Sequence, residues 1–326
     1  MNMPLLEVKD LRMYYSTMKG DVKAVDDVKF SLLKGESLGI AGESGCGKSS
    51  VALALMKLYP YNAKIVSGEI LLDGKNILEM SDEEIRKDVR WKRISMVPQA
   101  AMNALNPVFT IQDQIVEAIL THEDVSEKEA EDRTVDLLKK VGIDPSRVKN
   151  YPHEFSGGMK QRAMMAMALC CNPDIIIADE PTTALDVIVQ AQVLKVIKTL
   201  QRELGLSMIL ISHDLSVVAE TCENTLIMYA GNIVEDASTL EIFRHSLHPY
   251  SIGLIGAFPK LTGTKKRLES IKGNPPNLLN PPSGCRFHPR CPNAKNICGK
   301  EPPVLIKTHK DHLVACHMVN NHPEYR

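Results

Sequence analysis

The chain has 326 residues, which is long enough for one large domain with an appendage or for two domains. Its 44% hydrophobic and 24% charged residues are ordinary for a soluble protein, and no apolar run approaches the ~18 residues that span a bilayer. The formal net charge of −1 conceals a basic end, because residues 260–326 hold 12 Lys or Arg and four Asp or Glu. Composition therefore excludes a membrane-spanning chain and predicts a cytosolic protein, or one on the cytosolic side of a membrane.

Alternating apolar and polar residues near the start predict β-strands. The alternation covers residues 5–34 and 65–78, with turn signals at Lys19-Gly20 and at Asp73-Gly74. This pattern suits a small antiparallel sheet. Later in the chain, Leu226–Tyr229 and Ile233–Asp236 predict a closing hairpin around Ala230-Gly231-Asn232.

The stretch SLGIAGESGCGKSSVALALMKL, residues 37–58, predicts a phosphate-binding loop. Leu38–Ala41 has the composition of a buried strand, and Ser50–Leu58 that of a helix. The residues between them follow the pattern G-x-x-x-x-G-K-S/T and are Gly42, Glu43, Ser44, Gly45, Cys46, Gly47, Lys48 and Ser49. Its glycines let backbone N–H groups point at phosphate oxygens, Lys48 supplies positive charge, and the Ser49 hydroxyl can ligate Mg²⁺.

Two later motifs carry complementary chemistry. In EFSGGM, Ser156 can cap a helix, and Gly157 and Gly158 leave the backbone N–H groups of its first turn accessible. This motif therefore predicts a second anion-binding helix terminus. In NPDIIIADEP, a buried strand ends in Asp179-Glu180. An aspartate there can support Mg²⁺, and the adjacent glutamate can polarise an attacking water.

The motifs occur in one order: GESGCGKS, Gln99 in MVPQ, FSGGM, IIIADE, TALD (183–186) and ISHD (211–214). Over roughly residues 5–250 this order resembles the ABC-type ATPases. The resemblance implies an α/β fold with a RecA-like P-loop core and an antiparallel β subdomain. It also implies a helical subdomain at about residues 100–170, and helical runs at 111–121 and 126–141 fit that arm. FSGGM and TALD depart from the commoner LSGGQ and SALD, and neither change removes a phosphate donor.

The resemblance implies a head-to-tail pair of subunits, with each ATP between the phosphate loop of one and the SGG helix of the other. The implied nucleotide-binding residues are Tyr15, Gly42, Glu43, Ser44, Gly45, Cys46, Gly47, Lys48, Ser49, Ser50, Gln99, Ser156, Gly157, Gly158 and Asp179. The implied Mg²⁺ ligands are Ser49, Gln99 and Asp179. The implied catalytic residues are Glu180 as general base, His213 at the γ-phosphate and Gln99 at the water, with Asp186 at the dimer seam. Tyr14 is the alternative to Tyr15 for stacking on adenine.

The end of the chain holds four of its eight cysteines, Cys285, Cys291, Cys298 and Cys316, spaced C-x₅-C-x₆-C-x₁₇-C. In a reducing compartment such a cluster favours metal over disulfides, and the spacing leaves iron–sulfur and zinc open. His288, His312 and His317 are alternative ligands. The segments 248–261 and 273–294 resemble the C-terminal extension of dipeptide and oligopeptide importer ATPases, which implies a [4Fe–4S] cluster on the four cysteines.

We therefore expect an ATPase domain at 1–250, a metal-cluster extension at 251–326, and ATP, Mg²⁺ and [4Fe–4S] as cofactors. The expected function is ATP-driven import of dipeptides or oligopeptides from the cytoplasmic face of the membrane. Expected partners are a second ABC ATPase subunit, two membrane-spanning permeases and, indirectly, an extracytoplasmic substrate-binding protein, with no nucleic acid. The alternatives are an importer of nickel or oligosaccharides, and a soluble ABC ATPase acting on nucleic acid or ribosomes. No sustained heptad run supports a repair ATPase, and translation-linked members usually carry two cassettes where this chain has one.

Overall fold

A computed structural model describes residues 3–99, 103–183, 185–257, 271–308 and 311–320. The chain divides into two compact units. The first unit comprises Met1–Leu5, Leu32–Ser37 and Asn76–Ile211, and the second comprises Leu6–Ser31, Leu38–Lys75 and Ser212–Arg326. The boundary at residue 250 between an ATPase domain and an extension stays a prediction.

The fold contains both helices and strands. The helices are α1 (Lys48–Leu55), α2 (Asp82–Glu84), α3 (Ile111–His122), α4 (Glu127–Lys140), α5 (Gly157–Ala168), α6 (Val187–Leu204), α7 (Leu215–Thr221), α8 (Thr239–His245), α9 (Pro249–Gly256) and α10 (His317–Asn320). The strands are β1 (Leu6–Thr17), β2 (Gly20–Leu32), β3 (Ser37–Ala41), β4 (Ala63–Leu72), β5 (Lys75–Asn76), β6 (Ile94–Val97), β7 (Ile175–Asp179), β8 (Ser207–Ser212), β9 (Asn224–Tyr229), β10 (Asn232–Ser238), β11 (Ile306–Lys307) and β12 (Leu313–Val314).

The core of the first unit is a parallel sheet in the order β6-β7-β8. Ile94 pairs with Ile175 on one side of β7, and Ile175 pairs with Ser207 on the other. All of β7 is buried, which explains why IIIAD is a continuous apolar run before its final acid. Because the strands are parallel, the residues that follow β6 and β7 lie at the same edge of the sheet.

The helical part of the first unit is formed by α3, α4 and α5. Thr110 begins α3 with a reciprocal capping box to Asp113, and the Ser126 side chain accepts from the Glu129 N–H at 3.2 Å to begin α4. The predicted helical runs at 111–121 and 126–141 are thereby confirmed to within one or two residues.

The second unit contains the predicted small antiparallel sheet, in the order β2-β1-β4-β5. Strand β1 runs beside β4, with Leu6 opposite Leu72 and Tyr15 opposite Ala63. The predicted turns at Lys19-Gly20 and Asp73-Gly74 separate the paired strands, and both predictions are confirmed.

A second sheet in this unit has the order β11-β12-β10-β9-β3. Strand β3 is parallel to β9, and β9 turns back into β10 through Ala230 and Gly231, at φ 48° and 88°. Two positive φ angles at the centre are typical of the tight turns that suit the twist of a hairpin, as the sequence predicted. Strands β11 and β12 come from the end of the chain, and Leu313 pairs with Asp236 of β10.

Helix α1 is shorter than the predicted Ser50–Leu58. It ends at Leu55 because Lys57 takes a left-handed φ of 46°. The Lys57 N–H donates to the Ala54 carbonyl at 3.0 Å, and the Leu58 N–H donates to the Leu53 carbonyl at 2.9 Å. These two bonds form a Schellman ending built on lysine in place of the usual glycine, so no sequence signal marked it.

Candidate nucleotide site

The phosphate loop is set between β3 and α1 by glycines with no room for a side chain. Gly42 and Gly47 have φ angles of 155° and 108°. A Cβ atom on Gly42 would lie 2.1 Å from the Met228 carbonyl oxygen, and one on Gly47 would lie 2.0 Å from that of Ala24. Contacts this short with backbone atoms exclude any larger residue, so both glycines are required by the packing of the loop.

Lys48 lies buried at the start of α1, with its charge directed into the loop. Its Nζ donates to the carbonyl oxygens of Gly42 at 2.8 Å and Glu43 at 3.0 Å. Ser49 and Ser50 follow half-buried in the first turn of the helix, while Ser44 and Gly45 are exposed. The loop therefore exposes backbone at its tip and holds a lysine ammonium at its base, which fits a phosphate group.

Cys46, at a variable position of the loop, is buried. Burial raises the pKa of the Cys46 thiol, so it stays neutral and acts as a small packed residue.

The two candidate adenine-stacking tyrosines differ in their partners. Tyr15 Oη lies 3.1 Å from Oγ of Ser50, beside the first turn of α1. Tyr14 Oη donates to Oδ1 of Asp26 at 2.7 Å, and burial together with this bond raises the pKa of Tyr14 to about 12. Successive residues of a strand point to opposite faces, so only the Tyr15 ring lies on the phosphate-loop side.

In the first unit, Glu180 has the geometry of a positioned base. Its Oε2 accepts from Nε2 of Gln99 at 3.2 Å and from Oγ1 of Thr183 at 3.0 Å. The Glu180 φ of 47° is rare for a side chain other than glycine and typical of a functional constraint. Asp179 is buried one residue earlier, at the end of β7. Sequence analysis missed Thr183 as a partner of Glu180, although the TALD motif contains it.

The SGG helix begins as predicted. Ser156 Oγ accepts from the Met159 N–H at 3.4 Å, and a Cβ atom on Gly158 would lie 2.3 Å from Cγ1 of Val189. Asp186 caps α6 by accepting from the Val189 N–H at 3.0 Å. Gly158 therefore lets α5 approach the first turn of α6 closely, while Ser156 is exposed and Gly157 half-buried.

His213 is exposed and follows β8. The predicted site residues thus belong to two groups. Those of the second unit are Tyr15, the phosphate loop and His213, and those of the first unit are Gln99, Ser156, Gly157, Gly158, Asp179, Glu180 and Asp186. Ala184 of the TALD motif lies outside the described residues.

The oxygen atoms of Ser49 and Asp179 suit Mg²⁺, a hard cation that prefers hydroxyl and carboxylate ligands. Each stands at the end of an element, Ser49 in the first turn of α1 and Asp179 at the last position of β7. Taken separately, each side chain is therefore of a type that the metal implied by the ABC-type resemblance accepts.

The expectation of a metal cluster at the cysteines is not supported by the geometry. Within the described ranges, no group of three or more His, Cys, Asp or Glu is arranged to hold a metal ion. The thiols are nevertheless neighbours: burial raises the pKa of Cys285 to about 11, and the charges of Cys316, Cys298 and Cys291 contribute. Cys298 and Cys316 are buried, and the Cys285 N–H donates to the Cys298 carbonyl at 2.8 Å.

The three histidines considered as alternative ligands are engaged by other groups. The contacts are His288 Nδ1 with the Cys285 carbonyl at 2.9 Å, His312 Nε2 with Glu235 at 2.7 Å and His317 Nε2 with the Glu301 carbonyl at 2.8 Å. Glu235 is fully buried and also accepts from the N–H groups of Leu247 and His248, at 2.7 and 3.1 Å. His312 is therefore part of a buried polar network that ties the chain end to β10.

Among helices in the described part of the chain, none combines the length and apolar character needed to cross a membrane.

Comparison with known proteins identifies the family. Residues 25–183 match the ABC transporter family, and residues 234–298 match the oligopeptide/dipeptide transporter C-terminal region. The oligopeptide transport ATP-binding protein OppD of Escherichia coli (strain K12) is 48% identical over 302 residues, which cover 92% of this chain and 89% of that protein. The dipeptide transport ATP-binding protein DppD of Bacillus subtilis (strain 168) is 45% identical over 324 residues, covering 98% and 96% of the two chains.

Solved structures of ABC proteins are similar to this chain and support the same family. The ATP-binding cassette MJ0796, described as dimeric in a post-hydrolysis state with ADP and Pi, superimposes with a TM-score of 0.64 at 27% identity, covering 72% of this chain and 98% of that one. The cbiO1 protein from Clostridium perfringens, part of an ABC transporter complex, gives a TM-score of 0.64 at 27% identity, covering 74% and 91%. The predicted ABC ATPase fold is confirmed. The chain belongs to the ATP-binding proteins of the ABC transporter family, in the group that carries the oligopeptide/dipeptide transporter C-terminal region.

Proposed function

We propose that this protein hydrolyses ATP to energise the import of dipeptides or oligopeptides, as the nucleotide-binding subunit of an ABC transporter. The main structural support for ATP hydrolysis is the position of Glu180. One of its carboxylate oxygens accepts hydrogen bonds from both Gln99 and Thr183, and the residue directly follows the buried Asp179. The substrate class is supported by the match of residues 234–298 and by relatives named for oligopeptide and dipeptide transport.

In the second unit, we assign phosphate binding to the loop and to Lys48. Within the loop, the Lys48 ammonium is held by two backbone carbonyls. A phosphate oxygen is a stronger partner for that charge than a neutral carbonyl, so the lysine can exchange one for the other when nucleotide enters. We assign Tyr15, which lies on the same side as α1, to stacking on the adenine of ATP.

In the first unit, we assign water activation to Glu180. The two hydrogen bonds to Oε2 fix the orientation of the carboxylate, to which we assign the proton of the attacking water. Mg²⁺, when bound by a carboxylate such as that of Asp179, would supply charge neutralisation for the phosphates. Gln99 serves here as a positioning residue for the base.

The partners follow from the family. A head-to-tail dimer with a second ATPase subunit is supported by the dimeric form of the cassette MJ0796. In such a dimer the N-terminus of α5, at Ser156, Gly157 and Gly158, would serve the nucleotide of the other subunit. We further propose two membrane-spanning permease subunits, an extracytoplasmic binding protein that delivers substrate, and a peripheral location at the cytoplasmic face.

The test is reconstitution of the purified transporter in vesicles. ATP hydrolysis stimulated by a dipeptide or an oligopeptide, with accumulation of that peptide, is the expected result. The matched control is the same complex carrying Glu180→Gln in this chain. Stimulation by nickel or an oligosaccharide, with none by peptides, would contradict the substrate assignment.

We also propose that Cys285, Cys291, Cys298 and Cys316 bind a [4Fe–4S] cluster, with zinc as the alternative. The support is the clustering of four thiols close enough to influence one another, in a segment rich in proline. Thiolate–metal bonds would then stabilise a segment with little apolar core.

Anaerobic purification followed by iron, sulfide and zinc analysis tests this second proposal. A brown protein with about four irons per chain supports it. Colourless protein with about one zinc per chain would select the alternative, and protein free of both metals would contradict metal binding altogether. A Cys222→Ser variant is the matched control, because Cys222 is buried outside the cluster.

A further inference from the structure

A C-terminal arginine contacts the phosphate loop directly, within the second unit. Arg290 ends a 3₁₀ turn at His288–Arg290 and donates from Nη1 to Oε2 of Glu43 at 2.7 Å and from Nη2 to Oε1 at 3.0 Å. This two-bond fork is the most favourable geometry for an arginine and a carboxylate. The Arg290 side chain is only 6% exposed and that of Glu43 24%, so solvent screens the pair much less than a surface ion pair.

The guanidinium of Arg290 is itself held rigidly. Its Nε donates to the Lys272 carbonyl at 3.0 Å and its Nη1 to Oη of Tyr229 at 3.3 Å, with the guanidinium carbon 5.7 Å from the Tyr229 ring centre. Tyr229 packs against Tyr250 and Phe287, with ring centres 4.5 and 5.2 Å apart. Arg290 is therefore a fixed support and not a mobile surface cation.

Glu43 is anchored at its backbone as well as at its carboxylate. Its N–H donates to Oη of Tyr250 at 2.9 Å, and Tyr250 is fully buried in α9. Its carbonyl accepts from Nζ of Lys48 at 3.0 Å. Three groups hold this one loop residue: two come from after residue 248, and the third is the lysine assigned to the phosphates.

We infer that Arg290 is a positioning residue for the nucleotide site: by fixing Glu43 it sets the conformation of the phosphate loop and the place of Lys48 before ATP binds. The inference rests on the proposed role of the loop in binding ATP. A loop held in one conformation loses less freedom when ligand arrives, so ATP binds more tightly. Arg290 directly precedes Cys291 in the chain.

The test compares ATP binding and turnover by the full-length chain and its Arg290→Gln variant. The affinity for ATP should fall roughly tenfold, a typical size for coupling between two parts of a protein. The KM for ATP should rise in step, while kcat at saturating ATP stays within about twofold, because the Glu180 carboxylate and its partners are unchanged. Loss of packing alone does not produce this separation of KM from kcat.

Arg286→Gln is the matched control. Arg286 lies in the same segment and is also largely buried, but its hydrogen bonds go to Asp26 and to the Ala230 carbonyl, and neither residue belongs to the phosphate loop. Its substitution should leave ATP affinity unchanged. Arg290→Lys should fall between wild type and Arg290→Gln, because lysine keeps the charge but cannot form the two-bond fork.

A double-mutant cycle gives the sharpest readout. If the two side chains act through each other, Glu43→Gln should weaken ATP binding about as much as Arg290→Gln, and the double variant no more than either. Additive losses would overturn the inference. Should Arg290→Gln not fold, as judged by thermal melting, Glu43→Gln carries the test alone, because it alters only the carboxylate.

Three further outcomes distinguish failure of this inference from failure of the proposed site. Wild-type affinity in Arg290→Gln, with binding lost in Lys48→Ala, would overturn the role of Arg290 and leave the nucleotide site standing. Equal losses in Arg290→Gln and Arg286→Gln would also overturn it, by showing a general loosening of the segment. Failure of the wild-type protein to bind ATP would remove the proposed site and this inference together.

Discussion

The Nε2 atom of Gln99 lies 3.2 Å from Oε2 of Glu180 and donates a hydrogen bond to it, although 81 residues separate the two in the chain. The contact forms because β6 and β7 are neighbouring parallel strands, with Val97 opposite Ala178. Residues that follow the two strands therefore meet at one edge of the sheet. The sheet thus brings the proposed base, Glu180, next to the residue that we propose positions it.

Replacing Glu180 by Gln should lower kcat for ATP hydrolysis by about 10²–10⁴-fold, the usual loss when a general base is removed. ATP binding should persist, because glutamine has the same shape and its amide oxygen can still accept from Gln99 and Thr183. Phosphate release and ATP affinity measure the two effects. Glu131→Gln, at an exposed position of α4, is the control. A wild-type rate in Glu180→Gln would reject the assignment.

Replacing Lys48 by Ala should act before chemistry, by weakening ATP binding tenfold or more (about 1.4 kcal/mol or more). The substitution also leaves two loop carbonyls without their donor, so we expect a loss of about 1–3 kcal/mol in the free energy of unfolding. Equilibrium binding and urea unfolding check these expectations. Lys195→Ala, exposed on α6, should change neither quantity. Unaltered ATP affinity in Lys48→Ala would count against the phosphate role.

The two tyrosines can be separated by substitution. Tyr15→Ala should weaken ATP binding by ~1–3 kcal/mol, the usual contribution of an aromatic side chain stacked on a base. Tyr14→Phe should leave ATP affinity unchanged and lower the free energy of unfolding by about 0.5–1.5 kcal/mol, because it removes only the hydrogen bond to Asp26. Nucleotide titration and urea unfolding supply the measurements. If Tyr14→Ala weakens ATP binding and Tyr15→Ala does not, the assignment must be reversed.

His248 should make stability depend on pH. Burial lowers the pKa of His248 to about 4, against an ordinary value of about 6.5, and the nearby Glu235 opposes the shift only in part. Between about pH 6.5 and 4 the unfolded chain therefore binds more protons than the folded one, so stability falls as pH falls through this window. The loss should reach roughly 3 kcal/mol at the acid end.

The control for this prediction is His248→Asn. Asparagine can replace Nδ1 of His248 as the acceptor for the Tyr250 N–H, which now lies at 3.0 Å, but it does not titrate. Urea unfolding across the pH window should show a shallower dependence in His248→Asn. His245→Asn, at an exposed position, should behave as wild type. Equal slopes in wild type and His248→Asn would contradict the prediction.

The sequence predicted several features that neighbouring residues decide, although the left-handed Lys57 at the end of α1 was missed. The spacing of Gly42, Gly47 and Lys48 predicts the phosphate loop because the Lys48 ammonium bonds to carbonyls no more than six residues away. The hairpin at Ala230-Gly231 and the Ser156 cap of α5 also depend on neighbours in the chain, and both were predicted. The SGG motif predicted Gly158 near the start of α5. The close approach of Gly158 to Val189 depends on how α5 packs against α6, which the motif does not predict.

The sequence alone thus predicted the family, which the relatives confirm, and the residues of the nucleotide site, which stay a prediction. Only the tertiary structure decided that Tyr14 is engaged by Asp26, that Thr183 and Gln99 share one oxygen of Glu180, and that Arg290 holds Glu43 from 247 residues away. The physical reason is that such contacts depend on which strands and helices become neighbours, a property of the folded chain as a whole. The spacing of residues in the sequence predicts hydrogen bonds within a turn. It does not predict a contact between residues that are distant in the chain and become neighbours only when helices and strands pack.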